Sequence, residues 1–272
     1  MRVALCQMNA GDDVAENLRV AGELLDQAAA GRADLAALPE QFVYLGARSR
    51  YREVAEVVPE GPNCAMLAER AERHAMWVLG GSLLESADGH TYNTSTLFDR
   101  TGEMVARYRK IHLFDVELPG QPATRESAAF TAGTEIVTAE TEFCRVGLSI
   151  CYDLRFPELY RGLMALGATV FFVPSYFTYE TGKEHWHVLL RARAVENLAF
   201  VVAASQWGRY GRPEDNRRNF GHSLVVDPWG RVIAEAPEEG TGVTFADLDF
   251  TELRNVRERL PALQHRRLHP SC

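Results

Sequence analysis

Short apolar stretches with the pattern of strands alternate with amphipathic helical stretches along almost the whole chain. The predicted strands cover residues 2–9, 34–38, 76–83, 92–98, 104–108, 135–139, 144–150, 169–173, 200–205, 222–226, 231–234 and 243–247. The predicted helices cover residues 14–30, 64–74, 157–166, 185–197 and 252–260. This alternation, interrupted by short hairpins, predicts a layered α/β fold with mixed β-sheets.

Size, charge and cysteine content narrow the class of protein. The 272 residues, 46% of them hydrophobic, show no linker-like break and predict a single domain over residues 1–272. No apolar run approaches the roughly 20 residues of a membrane-spanning helix, and residues 1–30 do not resemble a signal peptide. The net charge of -8 argues against nucleic acid as a partner. Five cysteines without paired spacing indicate a reducing cytoplasm as the expected location.

One apolar strand runs into a cysteine, in the sequence GLSICYDLRFPEL of residues 147–159. Pro157 and Glu158 then open a helix, so Cys151 lies at a strand-to-helix corner. We expect its side chain to be displayed rather than packed, with helical N–H groups favouring the thiolate. Cys151 is therefore a candidate nucleophile. The alternative is an inert buried cysteine, which is the commoner state of a free thiol.

Two further charged residues, Glu40 and Lys110, each come shortly after a predicted strand. Because reactive residues of α/β folds gather beyond the carboxyl ends of strands, we expect Glu40, Lys110 and Cys151 to converge. Lysine is rare in this chain: 27 of the 29 basic residues are arginine, and only Lys110 and Lys183 are lysine. Each residue also has a non-catalytic alternative. Glu40 could be a charged residue at a helix N-terminus, and Lys110 could be a solvated surface charge.

Several sequence motifs occur together in a fixed order. They are LPE at residues 38–40, YRKIHLFD at 108–115, GLSICYDLRFPEL at 147–159 and GHSLVVDPWG at 221–230. On these motifs the chain resembles the nitrilase superfamily of carbon–nitrogen hydrolases along nearly its whole length. Further stretches resemble the Nit branch, and within it the deaminated glutathione amidases: DVELPGQ at 115–121, TGKEHW at 181–186, LLRARA at 189–194 and QHRR at 264–267.

The resemblance implies a fold and an assembly. The expected fold is a four-layer αββα sandwich with two mixed β-sheets. The catalytic core is expected over about residues 1–250, and the C-terminal segment 251–272 is expected at the interface of a homodimer, together with the helix after the cysteine. The implied substrate is a small-molecule amide that carries a carboxylate, and no metal or organic cofactor is implied.

The catalytic roles follow from the resemblance and from elementary chemistry. Glu40 is expected to be the general base that takes the Cys151 proton, provided that burial raises its pKa. The Cys151 thiolate then attacks an amide carbonyl, while the Lys110 ammonium and the backbone N–H of Tyr152 stabilise the oxyanion. Glu126 matches a second glutamate of the family, which orients Lys110 or assists the attacking water.

A further group of residues is expected to bind or surround the substrate. Arg155 can bind a carboxylate in a bidentate manner, or equally brace the fold. Tyr176 and Phe177 are candidates for the pocket lining, and Tyr176 stands where related sequences have a small residue. His185 is expected to support the pocket by hydrogen bonding. His185 and His187 point to different faces of a helix, so joint metal ligation by this pair is not expected.

The resemblance implies, as the main functional prediction, a cysteine-dependent amidase that hydrolyses deaminated glutathione through a thioester acyl-enzyme and releases 2-oxoglutarate and cysteinylglycine. The closest alternative is ω-amidase activity on 2-oxoglutaramate, which passes through the same acyl-enzyme. Hydrolysis of a carbamoyl amine, another aliphatic amide or a nitrile is a further alternative. A non-catalytic binding protein built on the same fold is the most remote one.

Overall fold

The first of two β-sheets uses mainly the N-terminal part of the chain in the computed structural model, which describes residues 1–117, 123–211 and 217–268. Its strands are β1 Arg2–Gln7, β2 Leu35–Ala37, β3 Trp77–Leu79, β4 Leu83–Ala87, β5 His90–Phe98, β6 Met104–Arg109 and β17 Gly242–Asp247. Strand β2 is parallel to both β1 and β3, and β17 pairs antiparallel with β1. The long strand β5 pairs antiparallel with β3, β4 and β6. This sheet is therefore mixed.

The second sheet is also mixed and uses the later part of the chain. Its strands are β9 Thr138–Glu140, β10 Arg145–Leu148, β11 Val170–Phe172, β12 Phe200–Ala203, β15 Leu224–Val226 and β16 Val232–Glu235. Strands β10, β11 and β12 are parallel, whereas β9, β15 and β16 join them antiparallel. Two small antiparallel pairs lie outside both sheets: β7 Asp115–Val116 with β8 Thr124–Arg125, and β13 Trp207–Arg209 with β14 Arg218–Phe220.

Each sheet is packed against its own helices. Helices α1 Val14–Ala30 and α3 Pro62–His74 contact each other and the first sheet. Helices α4 Pro157–Ala165 and α5 Tyr179–Asn197 contact each other and the second sheet. The short helix α2 Tyr51–Val54 precedes α3, and helix α6 Phe250–Arg259 follows β17.

The two faces of strand β1 show how the layers are ordered. Val3 and Leu5 belong to an apolar cluster that also contains residues of the second sheet, such as Leu148. Ala4 and Cys6, which point to the opposite face, belong to a separate cluster with the apolar residues of α1 and α3. The layers therefore follow the order helix, sheet, sheet, helix, which confirms the expected αββα sandwich with two mixed sheets.

Helix α5 differs most from its prediction, because it begins at Tyr179 rather than at residue 185. The first turns contain Gly182, at which an added Cβ would lie 2.4 Å from the Phe220 Cβ. Close packing on β14, rather than a regular apolar pattern, therefore holds this end of the helix. Residues 119–134, for which the sequence predicts neither a strand nor a helix, contain β8, and residues 119–122 of this stretch lie outside the described residues.

Within residues 1–117, 123–211 and 217–268, no helix combines the length and apolarity needed to cross a bilayer. Cys6, Cys64, Cys144 and Cys151 are free thiols. Cys272 lies outside the described residues.

Candidate active site

Three strand ends bring Glu40, Lys110 and Cys151 together. Glu40 follows β2, Lys110 comes directly after β6, and Cys151 follows β10. The Lys110 Nζ donates a hydrogen bond to Glu40 Oε1 at 2.9 Å, and the Cys151 thiol also hydrogen-bonds to Glu40. The exposed fractions are 0% for Glu40, 1% for Lys110 and 7% for Cys151. Residues far apart in the sequence thus form one buried cluster.

Glu126 supplies a second carboxylate to the same lysine. It begins a short 3₁₀ turn, Glu126–Ala128, directly after β8. The Lys110 Nζ donates to Oε1 and Oε2 of Glu126 at 3.0 and 2.9 Å, and the Phe114 N–H donates to Oε2 at 2.6 Å. The ammonium therefore lies between two buried carboxylates, which compensate its charge and fix its position.

Burial and mutual charge set the protonation of this cluster. Burial raises the pKa of Glu40, Lys110 opposes this effect, and Glu126 adds to it, so that the pKa lies above its ordinary value. Burial alone would lower the pKa of Lys110, but Glu126 and Glu40 outweigh it and hold that pKa well above its ordinary value. Lys110 is thus a cation at neutral pH, and Glu40 is a stronger base than an exposed glutamate.

The environment of Cys151 differs from the sequence-based expectation. The side chain is buried rather than displayed. Burial raises the pKa of the thiol well above its ordinary value, Glu40 raises it further, and Lys110 only partly opposes them. The prediction of a thiolate favoured by helical N–H groups is wrong, because desolvation and a neighbouring carboxylate outweigh them. Cys151 therefore rests as a thiol and needs a base, and Glu40 is in hydrogen-bond contact with it.

The backbone at Cys151 is in a left-handed conformation, with a φ of 47°. This region is uncommon for residues other than glycine and persists only where the surroundings enforce it. The Cys151 N–H donates to the Pro174 carbonyl at 3.0 Å, and the Ile150 N–H donates to Asp153 Oδ2 at 2.8 Å. These two bonds hold the sharp turn that follows β10.

Asp153 joins the cysteine corner to the lysine motif, and sequence reasoning missed it. This fully buried carboxylate accepts from the Tyr108 hydroxyl at 2.7 Å and from the His112 N–H at 3.0 Å. It also hydrogen-bonds to His112 Nδ1 at 2.7 Å. Tyr108 and His112 flank Lys110, so Asp153 fixes the distance between the lysine and the cysteine. The available signal was an acidic residue two positions after the candidate nucleophile.

Asn93 on β5 is a second residue that sequence reasoning missed. Its Nδ2 donates to Glu40 Oε1 at 2.8 Å and to Glu126 Oε1 at 3.2 Å, so one amide joins both carboxylates. Its backbone carbonyl accepts from the Lys110 N–H at 2.9 Å. The available signal was a run of polar residues at 93–96 inside a predicted strand, because buried polar groups on a sheet need specific partners.

We expect Asn93→Ala to lower kcat/KM by about 10- to 100-fold, the effect of losing a hydrogen bond to a charged group. The lost donor stabilised ionised Glu40, so the Glu40 pKa should rise further above its ordinary value. Because the base must be ionised, the acid limb of the kcat/KM profile should move to higher pH. Rates measured across the acid range check this. Ser95→Ala is the matched control, since Ser95 lies two positions further along β5 and its buried Oγ has no hydrogen-bond partner in the described chain. An unmoved acid limb would contradict the role of Asn93.

A narrow cavity reaches two of the three central residues. Cys151 and Lys110 line it together with Tyr152, Tyr176 and Phe177. The backbone N–H of Tyr176 donates to Glu40 Oε2 at 3.0 Å, so this residue touches the candidate base as well as the cavity. The structure therefore brings three of the predicted substrate-side and oxyanion residues beside the thiol. The acyl part of a substrate must be slender to enter.

A larger cleft of about 630 Å³ opens outward from the narrow cavity. Tyr176, Phe114 and Thr178 line both spaces. This volume falls in the range of roughly 300–1,000 Å³ that is usual for small-molecule sites. Three arginines contribute to its lining, namely Arg48, Arg209 and Arg217. The cleft is thus suited to a molecule that carries carboxylates beyond its acyl group.

Arg155 and His185 lie behind the pocket wall. Neither side chain lines the narrow cavity or the larger cleft. Arg155 Nη1 is 3.1 Å from His185 Nδ1, and the guanidinium carbon lies 5.1 Å from the centroid of the Phe177 ring. The arrangement fits the bracing alternative for Arg155 rather than direct carboxylate binding. It agrees with a supporting, hydrogen-bonded position for His185.

Sequence similarity to known proteins extends over almost the whole chain. The family model described as carbon-nitrogen hydrolase matches residues 2–258. The chain belongs to the carbon–nitrogen hydrolase family. The match contains the strand ends that carry Glu40, Lys110 and Cys151, so the buried cluster belongs to the family region.

Curated relatives and solved structures place this hydrolase near the Nit proteins. It is 41% identical over 268 residues to a deaminated glutathione amidase of Synechocystis sp., which covers 97% of each chain. It is 36% identical over 269 residues to the mouse omega-amidase NIT2, which covers 98% of this chain and 95% of the relative. The crystal structure of Saccharomyces cerevisiae Nit3, described as a nitrilase-superfamily member, superposes with a TM-score of 0.88 at 32% identity, covering 98% and 97% of the two chains.

Proposed function

We propose that this carbon–nitrogen hydrolase is an amidase that works through a thioester on Cys151. The observation that carries the proposal is the buried contact of Glu40 with both the Cys151 thiol and the Lys110 ammonium. Glu40 takes the thiol proton as Sγ attacks the amide carbonyl carbon. The Lys110 ammonium and the Tyr152 N–H stabilise the oxyanion that forms on the carbonyl oxygen.

The remaining steps return the enzyme to its resting state. Protonated Glu40 gives its proton to the departing amine, and the C–N bond breaks to leave the acyl group on Sγ. Glu40 then takes a proton from water, which attacks the thioester and releases the carboxylic acid. The proton returns to Sγ and restores the thiol. Glu126 acts in this scheme as a positioning residue, since it holds the Lys110 ammonium with both carboxylate oxygens.

Deaminated glutathione is the substrate that we propose. The 2-oxoglutaryl group would meet the Cys151 thiol at the narrow cavity, and a cysteinylglycine leaving group would occupy the larger cleft. Arg48 and Arg217 line that cleft, where they can meet the terminal carboxylate of the dipeptide. The similarity to the Synechocystis amidase supports the same choice. Hydrolysis would release 2-oxoglutarate and cysteinylglycine.

The second candidate is ω-amidase activity on 2-oxoglutaramate. The similarity to the mouse omega-amidase favours it. Both substrates give the same thioester, and they differ only in the amine that leaves. The larger cleft distinguishes the two substrates, because an ammonia leaving group has no carboxylate to bind the arginines of the cleft.

We expect kcat/KM for deaminated glutathione to exceed that for 2-oxoglutaramate by at least about tenfold, since one additional charge-assisted hydrogen bond contributes roughly 1.5–3 kcal/mol. Steady-state assays on both substrates, with a carbamoyl amine and an aliphatic nitrile in the same panel, measure this ratio. A preference for 2-oxoglutaramate would assign the ω-amidase activity instead. Mass spectrometry of protein quenched during turnover should find the 2-oxoglutaryl group on Cys151.

The variant Arg217→Gln tests whether the leaving group of deaminated glutathione binds in the larger cleft. It should raise KM for deaminated glutathione by about tenfold and leave KM for 2-oxoglutaramate unchanged, because only the first substrate extends into the larger cleft. Arg19→Gln is the matched control, since Arg19 is exposed on α1 and pairs with Glu16 and Glu23. Equal effects of Arg217→Gln on both substrates would contradict the assignment of the cleft to the leaving group.

We further propose that the protein is a homodimer of single-domain chains, paired through α4 and the segment 251–272. Large apolar side chains are exposed near this surface, including Leu166 after α4, Val195 on α5 and Leu260 after α6. Sedimentation as a monomer at micromolar concentration would argue against the dimer. The free thiols of the described residues support a reducing compartment, and we propose the cytoplasm.

A further inference from the structure

Two histidines and a glutamate meet on the second sheet, away from the narrow cavity. His187 projects from α5, His222 lies two residues before β15, and Glu235 ends β16. The Glu235 Oε1 is 2.9 Å from His187 Nε2 and 2.6 Å from His222 Nδ1. One potential ligand atom from each of the three residues lies within 4.8 Å of the other two. Their side chains are 22–38% exposed, so an ion from solvent can reach them.

The surroundings hold the two imidazoles in place. The His222 ring lies with its centroid 4.4 Å from that of Phe220, and the His187 ring lies 5.6 Å from the His222 ring. The carbonyl of His222 accepts from the Trp186 Nε1–H at 2.8 Å, which ties this loop to α5. The three residues therefore need little rearrangement to act together, and preorganised ligands lose less entropy on binding an ion.

The spacing suits coordination chemistry. Ligands bound to one tetrahedral ion at about 2.0–2.1 Å are separated by roughly 3.4 Å, a little more than the two contacts of Glu235 with the histidines. Two imidazole nitrogens and one carboxylate oxygen favour zinc and similar borderline cations over calcium or magnesium. Three protein ligands leave a fourth position for water.

We propose that His187, His222 and Glu235 form a binding site for a divalent transition-metal ion, with Zn²⁺ as the fitting occupant. The ion replaces the protons that the imidazoles now share with the carboxylate, and it links α5 to β15 and β16. The proposal does not depend on the proposed amidase function, because none of the three side chains lines the narrow cavity. The proposal also agrees with the expectation that His185 and His187 lie on different faces of α5. His185 contacts Arg155, whereas His187 contacts Glu235.

A metal at this site stabilises the folded chain. Its three ligands are distant in the sequence and come together only when α5 has packed on the second sheet, so the unfolded chain offers no equivalent site. At a free metal concentration a hundredfold above Kd, the melting temperature should rise by about 5 °C. Without metal, the same residues form a cluster of hydrogen-bonded imidazoles around one carboxylate.

The test uses the full chain carrying Cys151→Ala, so that the active-site thiol cannot bind the metal. After chelation and buffer exchange, calorimetric titration with ZnCl₂ should give one equivalent of binding, and thermal unfolding should show the rise. Added CoCl₂ should give a spectrum without a thiolate-to-cobalt charge-transfer band. His187→Gln and Glu235→Gln, each in the Cys151→Ala background, should abolish the binding and the thermal shift.

The matched control is His74→Gln in the same background. His74 Nε2 lies 2.7 Å from Asp26 Oδ1, so this variant also removes a histidine paired with a carboxylate, and no second histidine of the described residues hydrogen-bonds to that carboxylate. It should keep the full zinc response. Absence of binding by the parent chain, or binding that survives both His187→Gln and Glu235→Gln, would overturn the proposal.

Discussion

Replacing Cys151 by alanine is expected to lower kcat/KM by at least about 10,000-fold, because loss of the nucleophile in enzymes of this mechanistic type removes nearly all chemical catalysis. The thiol lies at the narrow cavity and also hydrogen-bonds to Glu40, the candidate base. Assays with high enzyme concentration and a sensitive product measurement are needed to bound the residual rate. Melting temperature should change little, since alanine keeps the backbone and removes only one sulfur atom.

Cys144→Ala is the matched control for this experiment. Cys144 is a partly buried free thiol at the end of the turn before β10, and it lines neither the narrow cavity nor the larger cleft. Its removal should leave turnover within about twofold. Alkylation should report the same contrast: substrate should protect Cys151 from iodoacetamide and leave Cys144 unaffected. Full turnover by Cys151→Ala would refute the thioester mechanism, because it would show that Cys151 has no catalytic role.

Lys110→Met is expected to cause the largest combined loss of activity and stability. It removes the cation between two buried carboxylates, and breaking a buried ion pair typically costs about 3–5 kcal/mol. It also removes an oxyanion donor, which costs about 100- to 1,000-fold in kcat. Chemical denaturation and steady-state assays measure the two losses. Lys183→Met is the control, because Lys183, the only other lysine, is exposed and pairs with Glu180 at 3.5 Å.

The stability loss of Lys110→Met should depend on pH. Without the opposing ammonium, burial and the Glu126 charge raise the pKa of Glu40 in the folded state further above that of the unfolded chain. A folded state with a raised carboxyl pKa binds the proton more tightly, so stability should recover as pH falls through that pKa and decline as pH rises. Adding Glu126→Gln should restore part of the stability and none of the activity. Recovery of activity in that double variant would contradict the role of Lys110 as an oxyanion donor.

The local order of elements was readable from the sequence, because each strand and helix carries its own periodicity. The α1 bounds, the β5–β6 hairpin and the strand before Cys151 all agree with the predictions to within a few residues. The shortest strands, such as β7 and β13, were not predicted. Two or three paired residues carry too little pattern, and their pairing depends on chain segments brought together by the fold.

The sequence predicted only some of the residues that form the candidate site. Glu40, Lys110 and Cys151 stand at strand ends, where a general rule of α/β folds applies. Asn93 and Asp153 follow no such rule. The Asn93 amide donates hydrogen bonds to the carboxylates of both Glu40 and Glu126. These bonds form only after the loop that contains Glu126 has folded over β5.

The sequence by itself determined the alternation of strands and helices, the αββα resemblance and the three residues placed at strand ends. Only the tertiary structure decided their chemical state. The Cys151 thiol is buried and protonated rather than displayed and ionised, and the Glu40 pKa is raised, because side chains from distant segments exclude water and place charges a few ångströms apart. Desolvation and charge proximity depend on packing in three dimensions, so no local pattern of residues encodes them.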